Sequence, residues 1–173
     1  MNLRQRFGRA LRLGVIGGGP ASWIGAMHRG AAEMDGHFRV TAGVFSSDPA
    51  KSREAGIGFG LDRARSYGTV DVMLRAEKQR SDGIDAVAIM TPNDTHHPYA
   101  AAALDAGLDV VCDKPITITL AQAQDLATRV QANRRLFAIA HGYSAYPMTR
   151  HARSRTAAGS PARARPGPAP APA

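Results

Sequence analysis

The reading turns on residues 11–29, LRLGVIGGGPASWIGAMHR. Leu11–Ile16 is a short apolar run of strand length, and it ends in Gly17-Gly18-Gly19-Pro20. Ser22 then stands where a helix cap is expected, since a serine side chain satisfies a free first-turn amide. Trp23, Met27, Ala31 and Met34 follow at helical spacing and predict the apolar stripe of a helix. A strand, a glycine turn and a helix start place backbone amides and a positive helix end around one point, which suits a dinucleotide pyrophosphate. Gly17 and Gly19 fit the spacing G-x-G-x-x-G, but the third position is Ser22 and the next glycine is Gly25. A glycine-rich turn with no ligand is the competing reading.

The same alternation continues outward. Phe38–Phe45 (FRVTAGVF) predicts a second strand, and Asp48-Pro49 opens a helix with Asp48 as cap. Arg65–Tyr67 reads as a short third strand and Val70–Gln79 as a helix. Ala86–Met90 (AVAIM) is continuously apolar, as in a strand buried on both faces. Pro98 starts an Ala-rich helix that Gly107 stops, and Asp109–Cys112, Leu120–Asn133 and Leu136–Ala140 follow as strand, helix and strand. Six strands alternating with helices predict an α/β fold, a doubly wound parallel sheet of Rossmann type spanning residues 11–153. Residues 1–10 form a basic lead.

Composition limits the alternatives. The chain has 173 residues, 44% hydrophobic, with a net charge of +8. The excess sits at the ends: Arg4, Arg6, Arg9 and Arg12 at one, Arg150 to Arg165 at the other. Without aromatic interleaving or a recognition motif, this argues against nucleic acid as partner. No apolar run has the length needed to cross a bilayer, so no membrane role is expected and cytoplasmic placement is the default. Cys112 is the only cysteine, which excludes an internal disulfide. No Cys/His cluster suggests a metal. Ser160–Ala173 contains only Ser, Pro, Ala, Arg and Gly. Residues 154–173 are therefore expected to be a disordered tail, either natural or the product of translation in a shifted frame.

Loops at the carboxyl ends of parallel strands line the ligand crevice, and four such loops carry polar groups. Ser46-Ser47 closes strand two where an acid normally holds ribose hydroxyls. With Lys51 and Arg53 behind it, this favours NADP over NAD, unless those cations are only solvated. Thr91-Pro92-Asn93 and His96 follow the fourth predicted strand, with helix capping or a surface position as the plainer role for the histidine. Asp113-Lys114-Pro115 follows the fifth, and Lys114 is either a proton-transfer group at the rim or an exposed turn lysine. His141-Gly142-Tyr143 and Tyr146 follow the last, where the tyrosines are packing candidates too.

Together these stretches resemble the Gfo/Idh/MocA oxidoreductases. The resemblance rests on VIGGGPASWIGAMHR (15–29), FSSDPAKSR (45–53), DGIDAVAIMTPNDTHHPYA (82–100), AGLDVVCDKPITITLAQA (106–123) and HGYSAYPMTRHAR (141–153). It implies NAD or NADP held by Gly17, Gly19, Trp23, Ile24, Ser46, Ser47, Thr91, Pro92, Asn93, His96, Asp113 and Lys114. It also implies Lys114 beside nicotinamide and substrate as the catalytic lysine, with Asp113 where glutamate is commoner. His141 and Tyr143 are the substrate-side candidates. The implied substrate is a sugar-like or cyclitol hydroxyl. The family's second α/β domain, which supplies a histidine and usually the oligomer, has no counterpart in this sequence. The expectation is thus a poorly active cofactor-binding half without a defined oligomer, or a non-catalytic module completed by a partner chain.

Overall fold

A computed structural model describes residues 6–158. The chain divides after Ala140 into two compact units. The first carries five parallel strands in the order β2-β1-β3-β4-β5: β1 Leu11–Gly17, β2 Phe38–Val44, β3 Ala86–Met90, β4 Asp109–Asp113 and β5 Phe137–Ala140. In register, Ile16 lies beside Ile89, Ala88 beside Val111 and Val111 beside Ala138. The helices between them are α1 Trp23–Met34, α2 Pro49–Gly58, α3 Val70–Lys78, α4 Asn93–Asp105 and α5 Leu120–Asn133. The doubly wound order expected from the strand–helix alternation is the one observed.

Strand alternation divides the core into two layers. Ile16, Val87, Ile89, Val110 and Cys112 pack under α3, α4 and α5, against Met73, Leu104 and Leu126. Leu13, Val15, Ala86, Ala88 and Met90 pack on the other face with Phe45 and Ala55, and with Ile24 and Ala32 of α1. β3 is buried at all five positions, because it has a strand on each side and helices on each face.

Three local expectations are corrected. Arg65–Tyr67 is not a strand, so the sheet has five strands and not six. Arg63–Arg65 is a 3-10 turn capped by Asp62, and Ser66 makes only an isolated bridge to Gly43. The chain turns there because Arg65 points inward to an acid, described below. Helix α4 begins at Asn93 and not at Pro98, which falls in its second turn and gives up one helical bond. The Thr95 hydroxyl bridges to Thr91 and to the Pro92 carbonyl and secures that earlier start.

The third correction concerns α1. Trp23, Met27 and Met34 are not its buried stripe: they are 73%, 54% and 81% exposed. The face against the sheet runs through Gly25, His28, Arg29 and Ala32, and only Gly25 is fully buried. A Cβ on Gly25 would stand 2.4 Å from the Gly18 carbonyl oxygen. The helix lies so close to the turn that only a glycine fits at that contact, while Ile24 and Ala32 pack on the core beside it and Trp23, Met27 and Met34 face outward.

The second unit, described by itself, is a 3-10 turn, Gly142–Ala145, and helix α6, Pro147–Ala157. The helix thus extends into the segment expected to be tail, and residues 159–173 lie outside the described residues.

Candidate cofactor site

The turn after β1 is built from positive-φ glycine. Gly17 (φ +90°) and Gly18 (φ +66°) adopt backbone that other residues reach only with strain. Space is as restrictive as conformation. A Cβ on Gly17 would meet the Met90 carbonyl oxygen at 2.7 Å, and one on Gly19 would meet that of Phe45 at 2.6 Å. Ser22 accepts from the Gly25 amide at 3.1 Å, and its own amide donates to Gly19 at 2.9 Å. Among the described residues the Trp23 and Ile24 amides have no partner, and they form the donor end of α1. The Arg29 guanidinium reaches back from the next turns. It donates to the Gly18 carbonyl and lies 3.9 Å from the centre of the Phe59 ring.

Beside this turn is a crevice of about 920 Å³. Gly19 and Ser22 line one side, Ser46 the end of β2, and Lys51, Glu54 and Phe59 the α2 side. Ser46 Oγ accepts from the Asp48 amide at 3.1 Å. Asp48 caps α2, accepting from the Ala50 and Lys51 amides, and these bonds, the Lys51 amide first, hold its carboxyl below the usual range. Ser47 is exposed and does not line the crevice. Lys51 does, and it shares the wall with Glu54.

The rim continues across the neighbouring strands. Gly17 pairs with Met90, which brings Thr91 to the turn, and β4 ends beside it in Asp113 and Lys114. Asp113 accepts from the Lys114 amide at 2.8 Å, and the exposed Lys114 is joined to Pro115 by a cis peptide bond. Pro92 and Asn93 are exposed at the start of α4. His96 does not lie on the open side of the rim. It is 1% exposed, with Nδ1 2.7 Å from the Pro115 carbonyl oxygen and Nε2 2.9 Å from that of Thr91. Cys112 is enclosed, and burial pushes its thiol up to about 12, with Asp113 adding to the shift, so it is no nucleophile.

The structure therefore gathers Gly17, Gly19, Thr91, Asp113 and Lys114 at the carboxyl ends of adjacent strands, with Ser46 in the adjoining crevice. Ile24 is turned into the core, and Trp23 is exposed at the helix start. His141 and Tyr143 belong to the second unit. There the Tyr143 and Tyr146 rings meet edge to face at 5.3 Å, and Ser144 donates to the His141 carbonyl. Sequence reasoning passed over Gly25, Arg29, Glu54 and Phe59. Gly25 was visible as an unassigned glycine, whereas Arg29 and Phe59 meet only through the fold.

A parallel sheet whose first turn is a glycine cradle at a helix start, with a crevice at the end of the next strand, defines a dinucleotide-binding domain. The chain belongs to the Gfo/Idh/MocA family. Residues 11–141 match its model, described as an oxidoreductase family with an NAD-binding Rossmann fold. An uncharacterized oxidoreductase of Bacillus subtilis is 34% identical over 86% of this chain and 38% of its own length. An inositol dehydrogenase homologue of Azotobacter vinelandii, crystallised with NADH and myo-inositol, is 40% identical. It aligns with a TM-score of 0.86 over 92% of this chain and 42% of its own. Inositol 2-dehydrogenase of Corynebacterium glutamicum is 32% identical over 63% of this chain and 29% of its length. The chain thus spans about two fifths, or less, of these relatives.

Proposed function

We propose that residues 11–140 hold NAD or NADP for the oxidation of a sugar-like or cyclitol hydroxyl, with Lys114 as the catalytic lysine. The observation that carries this reading is the cradle itself: Gly17, Gly18, Gly19 and Gly25 let the turn pack against β3, the end of β2 and α1 more closely than any Cβ would permit, which leaves the unpartnered Trp23 and Ile24 amides at the helix start beside the open crevice. The Trp23 and Ile24 amides would meet its charge, with the positive end of α1 behind them. The adenosine would enter the Ser46–Lys51–Phe59 crevice, and the far end of the cofactor would run along Thr91–Asn93 to Lys114. The bound nicotinamide supplies the hydride acceptor. Lys114 Nζ would hydrogen-bond the substrate hydroxyl and orient it, and as the carbon's hydride passes to the nicotinamide the hydroxyl proton would leave by way of the amine to solvent.

At the adenosine end, Lys51 attracts a 2′-phosphate and Glu54 on the same wall repels it. We expect both cofactors to bind, with affinities within about tenfold of each other, a difference of roughly 1.4 kcal/mol. Lys51→Glu should weaken NADPH and leave NADH nearly unchanged.

Trp23 is the sole tryptophan and stands at the cradle, so its emission is the natural probe. Saturable quenching of Trp23 by NADH, with sensitised cofactor emission, is expected. No saturation by either reduced cofactor at roughly millimolar concentration, the weak-binding end of the affinity scale, would sink the reading.

A further inference from the structure

The Gly18 carbonyl is turned toward α1. A Cβ on Gly25 would stand 2.4 Å from its oxygen. Side chains on a helix lean back toward its amino end, so position 29 reaches over position 25, one turn earlier. Gly25 carries no side chain to block that path, and the Arg29 guanidinium ends on the Gly18 carbonyl. The same guanidinium lies 3.9 Å from the centre of the Phe59 ring, which lines the crevice. A planar fork can donate along its edge while its face rests on an aromatic ring, which an ammonium does less well.

The Gly18–Gly19 peptide is trans, so a carbonyl held against α1 turns the Gly19 N–H the opposite way. Gly19 lines the crevice, and among the described residues its amide has no partner. The guanidinium meets no acid either: among the described residues no carboxylate pairs with Arg29. Burial pulls it below its ordinary value, as expected for a cation that has lost water and gained no anion. A half-buried cation and an unpartnered amide on the two sides of one peptide form an arrangement that an anion completes.

We propose that Arg29 is a positioning residue for the cofactor's pyrophosphate, fixing the Gly18–Gly19 peptide with its N–H toward the ligand and placing an otherwise uncompensated positive charge behind it. The inference rests on the reading of this turn as a pyrophosphate cradle. Arg29 acts through the peptide, whose dipole it polarises: the cation stands at the carbonyl end and the pyrophosphate at the N–H end. The plainer role is structural, with Arg29 only shaping the Phe59 wall of the crevice, and that role would act on the adenosine instead.

Binding to the full chain separates the two roles. NADH is followed by Trp23 emission, and ADP, which carries the pyrophosphate, and adenosine, which lacks it, are titrated as its competitors. Arg29→Met keeps an unbranched stem over Phe59 and removes the charge and the donor. It should weaken NADH and ADP each by about tenfold, the scale of one nearby opposite charge, and adenosine by less than about twofold. Arg29→Lys returns a charge and a donor and should bring ADP back to within about threefold of the natural chain. An equal loss of ADP and adenosine, or no loss of ADP, would overturn the proposal. Should Arg29→Met fail to fold, the natural chain decides: the Arg29 Nε–H resonance should move on adding ADP and stay in place on adding adenosine, and a resonance unmoved at saturating ADP would overturn it. If the natural chain binds neither NADH nor ADP, the reading of the cofactor site fails and this inference falls with it. NADH and ADP binding that Arg29→Met leaves unchanged overturns this inference alone.

Discussion

Glu77 carries four hydrogen bonds on a side chain that is almost wholly enclosed. Arg65 donates to it through Nε, at 3.0 Å, and through Nη2; the Tyr67 hydroxyl donates at 2.8 Å and the Ile84 amide at 3.1 Å. Arg65 and Glu77 are 7% and 3% exposed. Burial, and then the bond to Glu77, pushes the Tyr67 hydroxyl up to about 12. Removing one partner of such a pair strands the other charge in the core, which costs far more than the pair contributes. Glu77→Ala should destabilise the domain by roughly 3–5 kcal/mol, read from denaturant melts. A loss under about 1 kcal/mol, the range of surface pairs, would show that the cluster is solvated. In the sequence, Arg65 looked like the start of a strand, because nothing local announces that its partner lies twelve residues on.

At the scale of elements, the amino ends of β1 and β3 are tied by Asp85, just before β3. It accepts from the Arg12 amide at 2.7 Å and forms a two-pronged bond with Arg9 at 2.7 and 2.8 Å. Burial pushes its carboxyl up, but the Arg9 bond and the Arg12 amide outweigh that and leave it below the ordinary value. A depressed folded value means stabilisation that is fully present above the unfolded carboxyl value and lost as pH falls through the folded one. Asp85→Asn should therefore melt below the natural chain at pH 7, and the gap should close below about pH 4. A gap constant from pH 7 to 3 would refute the charge-based account. NADH affinity should not follow this titration, since Asp85 lies at the opposite end of the sheet from the cradle. Helix caps at Ser22 and Asp48 were legible in the sequence because a cap is a contact over two or three residues. The true start of α4 was not, because the Thr91–Thr95 hydroxyl bridge has no such simple signature.

Over the whole described chain, the two faces of the sheet are unequally covered. α3, α4 and α5 spread across one face, whereas α1 and α2 cover only part of the other. A crevice of about 280 Å³ opens between α1 and the sheet, lined by Ala31, Ala32, Ala88 and Val111, and Ala138 beside Val111 is exposed. Parallel sheets are ordinarily buried on both sides, and Met27 and Met34 add apolar surface on α1. We expect concentration-dependent self-association without fixed stoichiometry, measured by sedimentation, and reduced in the double variant Met27→Lys/Met34→Glu. A single monomer species at every concentration would contradict this. Among the described residues no helix is long and apolar enough to cross a membrane.

The amino-acid sequence by itself determined the periods, the caps and the punctuation: buried strands, glycine turn, Thr-Pro-Asn and Asp-Lys-Pro breaks. Their order was enough to specify a doubly wound sheet and the edge proposed for its ligand, because each signal is written within a few residues. Only the tertiary structure decided which side of α1 faces inward, that Gly25 packs on Gly18, that Arg29 holds the glycine turn, and that His96 lies behind the rim. Those outcomes depend on how closely two backbones approach and on partners far apart in the chain. Such distances are set by the packing of the whole sheet, and no local spacing encodes them.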